Sequence, residues 1–356
     1  MSTVLDTRAV AHTRAGPATD SATGAAAATG VARMTDAGRA TPWRWRKLGR
    51  VFEPSAYPAF AGSHAQVPAP LLLDDRIRVY YADRDASGRS FPTFIDVDRT
   101  DPTRVIGVNP PPLLPPAAPG AFDDEGLMPA CALHRDGLVW LYYSGWNRRH
   151  SVPYHNATGL VVSDDGGRHF RRLFDGPVMD RTAREPYLAV TPWVAADSAG
   201  SALRAWYVSG TRWERVGERY EPVYVICSAH SINGVDWTRN GVPCFVQTHP
   251  LEAQAHPSVL RTEGAWHMWF CYRDSHDFRD GGGAYRIGYA RSRDGVRFER
   301  DDARAGIDVS AEGWDSKMIC YPSVIAVGIK VYMFYNGNGF GRSGIGVAEL
   351  DGTLEI

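Results

Sequence analysis

Residues 256–274 read "HPSVLRTEGAWHMWFCYRD": a proline-led apolar run, a polar turn, then a second run rich in aromatic residues. This is the pattern of two antiparallel strands joined by a hairpin. The chain contains it five times. The other copies are "VPAPLLLDDRIRVYYADRD" from Val67, "MPACALHRDGLVWLYYSGW" from Met128, "TPWVAADSAGSALRAWYVSGT" from Thr191 and "YPSVIAVGIKVYMFYNGNG" from Tyr321. Their prolines, Pro68, Pro129, Pro192, Pro257 and Pro322, are spaced by 61, 63, 65 and 65 residues. So regular a period marks a repeat architecture in which each copy is one structural unit.

Between these copies a second pattern recurs, in "TGLVVSDDGGRHFRR", "VYVICSAHSINGVDWTR" and "YRIGYARSRDGVRFER". Each gives a strand, a turn and another strand. The turn is Ser-x-(Asp/Asn)-Gly-x-x-aromatic, as in Ser231 to Trp237 and Ser292 to Phe298, and with one extra residue from Ser163 to Phe170. Asp or Asn followed by Gly supplies the positive φ angles of a tight hairpin. Each repeat is therefore a four-stranded antiparallel sheet, and radial repetition of such sheets makes a β-propeller.

Five repeats predict an all-β, five-bladed β-propeller over residues 41–356. The last repeat supplies only three strands, ending in "GIGVAELDGTLEI", and the missing fourth stands at the start, in "WRWRKLGRVFEP". There Trp45 takes the part of Phe170, Trp237 and Phe298, so the N-terminal strand is expected to close the ring. Residues 1–40 are rich in Ala, Thr, Gly, Asp and Arg without periodicity, and read as a disordered tail.

A formal net charge of −1 gives no electrostatic case for nucleic acid or an anionic membrane surface. No stretch approaches the ~20 apolar residues of a membrane-spanning helix, and the tail lacks the apolar core of a signal peptide. Five cysteines, none in a CxxC pair, read as buried thiols of a reducing compartment. A soluble cytoplasmic protein is expected. His64, His150, His155 and His256 do not have zinc-ligand spacing, so neither a metal nor another cofactor is expected.

In a propeller the innermost strands converge on a central channel, so residues just before the repeat prolines gather at its mouth. These lead-in segments are "GSHAQVP", "FDDEGLMP", "REPYLAVTP", "LEAQAHP" and "GWDSKMICYP". Four carry acids: Asp123, Asp124 and Glu125; Glu185; Glu252; Asp315. The first offers His64 and Gln66 instead. Carboxylates around an aromatic-lined pocket suit glycosidic chemistry, in which one acid protonates the leaving oxygen and a second activates water or attacks the anomeric carbon. Asp124, Glu185, Glu252 and Asp315 are the catalytic candidates. His64, Gln66, Arg84, Trp146, Asn156, Arg273, Arg286, Asn338 and Arg342 are the substrate-binding ones, because planar donors and aromatic faces read hydroxyl groups and stack on sugar rings. Several inward arginines could instead hold a carboxylate or phosphate on the ligand. "WNRRHSVPYHN" and "TRWERVGERYEP" are the candidate specificity loops.

The lead-in segments and repeat count resemble the five-bladed propeller glycoside hydrolases, the superfamily of arabinanases, invertases and levansucrases that includes families 43, 32, 68 and 130. More narrowly, "FDDEGLMPACAL", "EPYLAVTPWV", "YRIGYARSRDG" and "GWDSKMICYPSV" resemble a bacterial group of predicted glycosidase-like proteins associated with surface-polysaccharide gene clusters. The resemblance covers roughly residues 43–350. It implies a general acid at Glu185 and a modulating acid at Asp123 or Asp124. It also implies a catalytic base just before the first-blade proline, where this chain has Val67. Hydrolysis by the family-43 layout is therefore not expected unchanged. Three readings stay open: a carbohydrate-active enzyme that cleaves or transfers a glycosidic linkage, phosphorolysis included; a non-catalytic sugar-binding propeller; and dehydration or isomerisation of a sugar-like metabolite.

Overall fold

The computed structural model describes residues 43–56, 62–110, 112–197, 202–279 and 281–352. The expected tail over 1–40 lies outside the described residues. The chain is all-β, with one 12-stranded and two 4-stranded sheets, and each repeat makes a unit of four strands. Unit one is β2 (Gln66–Leu72), β3 (Arg76–Arg84), β4 (Ser90–Asp98) and β5 (Val105–Val108). Unit two is β6 (Gly126–Arg135), β7 (Leu138–Arg148), β8 (Tyr154–Ser163) and β9 (Arg171–Arg172). Unit three is β10 (Ala189–Ala196), β11 (Leu203–Val216), β12 (Arg219–Ser231) and β13 (Thr238–Pro243). Unit four is β14 (Glu252–Arg261), β15 (Trp266–Asp274), β16 (Arg286–Ser292) and β17 (Glu299–Arg300). Unit five is β18 (Cys320–Val327), β19 (Lys330–Asn336), β20 (Ile345–Leu350) and, from the other end of the chain, β1 (Trp45–Phe52).

Within each unit neighbouring strands pair antiparallel. β1 pairs with β20 from Trp45↔Leu350 to Phe52↔Ile345, as the three-strand count of the last repeat requires. Single parallel contacts, Ser90↔Gly126 and Ala189↔Ala157, join the first three units.

Apolar clusters fill the interfaces between successive units. Tyr80 and Phe94 of unit one pack with Leu141 and Val161 of unit two, and Tyr142 of unit two with Ala205 and Tyr207 of unit three. Trp206 meets Trp266 and Phe270, and Trp269 meets Met333 and Tyr335. Phe334 and Val347 of unit five pack against Ile77, Val79 and Tyr81 of unit one. Sheets covered on both faces by aromatic and β-branched side chains have this propeller-like packing.

The recurrent turns do more than reverse the chain. Each turn glycine has a positive φ, +82° at Gly167, +77° at Gly234 and +70° at Gly295. Its N–H is bound by the turn serine: Ser163, Ser231 or Ser292. Its carbonyl accepts a hydrogen bond from a buried aromatic of the preceding unit: Tyr80 to Gly167 at 2.9 Å, Tyr142 to Gly234 at 2.7 Å, Trp206 to Gly295 at 2.9 Å. The turn of one unit thus latches onto the second strand of its neighbour.

All five cysteines are free and buried. No helix among the described residues is long and apolar enough to cross a membrane.

Candidate functional site

Each first strand carries a register shift at its repeat proline. The residue before that proline has a left-handed backbone in four units: Val67 at φ +59°, Thr191 at +45°, His256 at +49° and Tyr321 at +54°. In unit two the position is Met128. Such strain in non-glycine residues costs about 1–3 kcal/mol each and concentrates where backbones are shaped for ligands. None of the five is a carboxylate, so the expected departure at Val67 extends around the whole set.

The lead-in acids lie elsewhere. Asp123 is fully buried, and its Oδ2 accepts from the Tyr143 hydroxyl at 2.9 Å and Arg172 Nη2 at 2.9 Å. Glu185, 3% exposed, accepts from Tyr207 at 2.7 Å and Ser209 at 2.8 Å and pairs with Arg239 at 3.6 Å. Glu252 is fully buried on Arg300 at 2.6 Å, with further bonds from Gln254 and Thr248. Asp315, 2% exposed, is held by Lys47 at 2.7 Å and Tyr335 at 3.0 Å. In every case the cation stands on the fourth strand of the same unit: β9, β13, β17 or β1. Unit one, which lacks the acid, has "VIGV" as its fourth strand.

These acids are clasps tying the lead-in loop across its own sheet. Glu185, Glu252 and Asp315 are each enclosed and paired with a cation within their own unit. Asp124 is different. It is half-buried and makes no ion pair among the described residues; one oxygen accepts from Gly120 N–H at 2.7 Å and the other is buried without a partner. Glu125 beside it pairs with Arg148 at 2.9 Å and keeps its second oxygen unpartnered.

Two binding candidates bond to loop backbone. Asn338 accepts from the backbone N–H of Lys317 and Met318 and donates to Gly313, fixing the loop into unit five. Arg286 donates to the carbonyls of Ala284, Tyr285 and Lys317.

The remainder share one end of the units, where first strands begin, second strands end and third strands start. Arg84 donates through Nε to Gln66 and through Nη1 to the Gly88 carbonyl at 2.9 Å, while Nη2 meets only the Met128 sulfur at 3.9 Å. Its guanidinium lies 5.8 Å from the Trp146 ring. The imidazole of His64 is pushed down to about 4 by burial and by the charges of Arg84 and Arg342, and the adjoining Ala65 N–H donates to the Gly341 carbonyl at 2.9 Å. Arg273, 3% exposed and sixteen residues after its repeat proline as Arg84 is after Pro68, donates to Tyr285, Ser275 and the Pro222 carbonyl. The Tyr285 and Tyr224 hydroxyls are 2.6 Å apart.

His256 is 1% exposed, and burial drives its ring down to about 3, so it is neutral. The single proton of the Ser323 hydroxyl goes to the Pro68 carbonyl, so Ser323 Oγ accepts from His256 Nε2–H at 2.9 Å. Nδ1 is then a bare acceptor, buried and unpartnered; Thr191 Oγ1 and Asn156 Oδ1 are orphaned likewise. Unpaired buried polar atoms at strained positions mark a place where a ligand or water completes the structure.

The sequence reading did not single out Tyr154, Tyr224, Tyr285 or Tyr321. Tyr321 carried a signal, since it precedes its repeat proline as His256 does. The two candidate specificity loops meet, Tyr154 packing edge-on against Trp213 at 5.1 Å. The second loop also walls a cleft of about 270 Å³ with Glu221, Ser275, Phe278 and Arg279.

Against known proteins, the chain is 36% identical over 310 residues to two proteins of Mycobacterium tuberculosis, Uncharacterized protein MT1551 and Uncharacterized protein Rv1502, covering 86% of this chain and 99% of each relative. The chain belongs to their family. No family model matches it. Among solved structures, a glycoside hydrolase superposes with a TM-score of 0.66 at 17% identity, over 86% of this chain and 92% of that one. A thermostable family-43 glycoside hydrolase gives 0.58 at 14%, over 84% and 96%. A structure of the GH130 family of mannoside phosphorylases and glycoside hydrolases gives 0.60 at 14%, over 88% and 95%. At these identities the family of the mycobacterial proteins shares the fold of these glycosidases, and the fold alone.

Proposed function

We propose that this protein is a carbohydrate-active enzyme of the glycoside hydrolase type, built as a five-bladed propeller closed by β1, that cleaves or transfers a glycosidic linkage at the end of the units where the strained first-strand residues lie. The observation that carries the reading is the set of orphaned polar atoms at that end, His256 Nδ1, Thr191 Oγ1 and Asn156 Oδ1, with Asn156 paired opposite Trp146, whose ring faces Arg84. Acceptors, planar donors and an aromatic face are the groups that read ring hydroxyls and stack on a sugar. Asp124 is the carboxylate assigned to acid–base work, since Asp123, Glu185, Glu252 and Asp315 are each paired with a cation of their own unit. Five buried thiols support a cytoplasmic setting.

A specific observation favours a second reading, a sugar-binding protein without turnover. The positions before the repeat prolines hold Val67, Met128, Thr191, His256 and Tyr321, and no carboxylate.

Incubating the purified protein with oligosaccharides and activated sugars, with and without phosphate, and following product masses distinguishes the two. Turnover that disappears in Asp124→Asn supports the enzyme. Binding without turnover across a panel containing a demonstrated ligand supports the second reading. Turnover unaffected by Asp124→Asn removes Asp124 from the chemistry.

A further inference from the structure

The charges around this end are not balanced. Among the described residues neither Arg84, Arg273 nor Arg342 has a carboxylate partner. Apart from Asp124, the acids flanking these strand ends are engaged elsewhere: Asp85 with Arg89 at 3.0 Å, Glu125 with Arg148 at 2.9 Å, and Glu221 with Arg279 at 2.7 Å, so three guanidinium groups face at most one unpaired carboxylate. Asp83 turns its carboxylate to the backbone N–H of Arg84 and His64. A guanidinium withdrawn from water without a counter-charge is costly, and it persists where a ligand supplies the missing charge.

Donors dominate as well. Arginine has five N–H donors and no acceptor. Arg84 uses two on good oxygen acceptors, and its Nη2 has only a thioether. Arg273 Nε–H donates to the Tyr285 oxygen at 3.2 Å, and Tyr285 is linked to Tyr224 at 2.6 Å, which extends the polarity of the buried arginine to a half-buried phenol. Gln66, which holds Arg84, lies against the backbone of Gly341, the neighbouring Phe340 packs on Tyr285 at 6.1 Å, and Tyr285 packs on Tyr321 at 5.7 Å, so the loop that carries Arg342 runs from Arg84 to the tyrosines held by Arg273. Burial raises the Tyr154 and Tyr321 phenols above their ordinary value, keeping them protonated as donors. A neutral sugar both donates and accepts at each hydroxyl. Clustered N–H and O–H donors around uncompensated positive charge are complementary to an oxyanion.

We infer that Arg84, Arg273 and Arg342, with Tyr154, Tyr224 and Tyr321, form an oxyanion subsite, and that the sugar this protein takes carries a phosphate or carboxylate. The inference rests on the carbohydrate reading above and names the class of sugar within it. Arg84 touches the oxyanion, Arg342 adds charge from the rim, and Arg273 positions the tyrosines.

Calorimetric titration of matched probes tests it: glucose against glucose 1-phosphate, galactose against galacturonate, and inorganic phosphate alone, at low and high salt. The expected result is at least tenfold tighter binding of the charged member, an advantage that shrinks with salt. Arg84→Gln is expected to abolish the advantage and the exposed Arg342→Gln to reduce it several-fold. Equal binding of charged and neutral members, or a preference that survives both substitutions, overturns the subsite while leaving the carbohydrate reading standing. Binding of inorganic phosphate that outcompetes both charged sugars retains the subsite and assigns its oxyanion to the free ion. Phosphate binding with no affinity for any sugar retains the subsite and overturns the carbohydrate reading.

Discussion

Lys47 and Asp315, 268 positions apart in the chain, meet in a 2.7 Å ion pair between the N-terminal strand and the loop leading into unit five. Asp315 is almost wholly enclosed and Lys47 is 24% exposed. Removing one partner of a buried pair strands the other, at about 3–5 kcal/mol when both are fully enclosed. Lys47→Met is therefore expected to destabilise by roughly 2–3 kcal/mol, discounted for the lysine's exposure. Urea denaturation measures it, and an unchanged midpoint would show that the clasp does not hold the first strand.

Glu185 and Asp124 are expected to separate scaffold from chemistry. Glu185→Gln leaves Arg239 buried without its counter-charge and should cost about 2–4 kcal/mol in stability. Asp124→Asn should leave the unfolding midpoint within experimental scatter and reduce turnover by about 100-fold or more, the scale of a lost acid–base group. Melting curves recorded beside product assays read both. A stable, inactive Glu185→Gln would reverse the assignment.

The latches between units give a third expectation. A Cβ on Gly234 would stand 2.8 Å from the Tyr142 hydroxyl and 2.9 Å from Trp140, and the residue's φ is +77°. Gly234→Ala should cost about 2–3 kcal/mol from strain and displacement combined. Tyr142→Phe should cost about 1 kcal/mol, since the Gly234 carbonyl then keeps only the 3.1 Å bond from Trp237 Nε1. Equal stabilities of Tyr142→Phe and wild type would reduce the latch to a packing contact.

Acid sensitivity follows from the histidines. Burial holds His256 near 3, and His64 and His267 near 4, against an ordinary value of 6.5. The folded chain keeps these rings neutral while the unfolded chain protonates them, so stability is complete above pH 6.5 and falls as pH drops toward 4. For enclosed His256 the slope approaches about 1.4 kcal/mol per pH unit. His256→Gln should flatten this part of the stability profile, measured by denaturant titration from pH 4 to 7. A profile parallel to wild type would mean that His256 is charged in the folded protein.

The repeat unit and the β1–β20 pairing were legible because both follow from local patterns: proline spacing, strand alternation, turn glycines and a missing fourth strand. The fate of the acids was not read, though its signal was present. In each unit with an acid, a cation stands two residues after the turn aromatic: Arg172 after Phe170, Arg239 after Trp237, Arg300 after Phe298, Lys47 after Trp45. Which way a carboxylate turns, inward to a ligand or across its own sheet, depends on side-chain direction, and spacing alone does not fix that. Tyr154, Tyr224 and Tyr285 escaped for the same reason, since the Tyr285 hydroxyl meets Arg273 and Tyr224, and Tyr154 meets Trp213, only through tertiary packing. The backbone partners of Asn338 and Arg286 were not legible either, because which loop carbonyls and N–H groups a strand-end side chain meets is set by tertiary packing.

The pairing of β1 with β20 also sets a schedule for synthesis. Arg46 and its partner Glu349 are separated by 303 residues, so at about 5–20 residues per second the first strand leaves the ribosome roughly 15–60 s before its partner exists. During that interval β1 is an unpaired edge strand. Its sequence, "WRKLGRVF", places Arg46, Lys47 and Arg50 among the apolar residues, and cationic side chains on an edge discourage pairing with other chains. The same Lys47 that later clasps Asp315 thus protects the nascent strand until its partner is made.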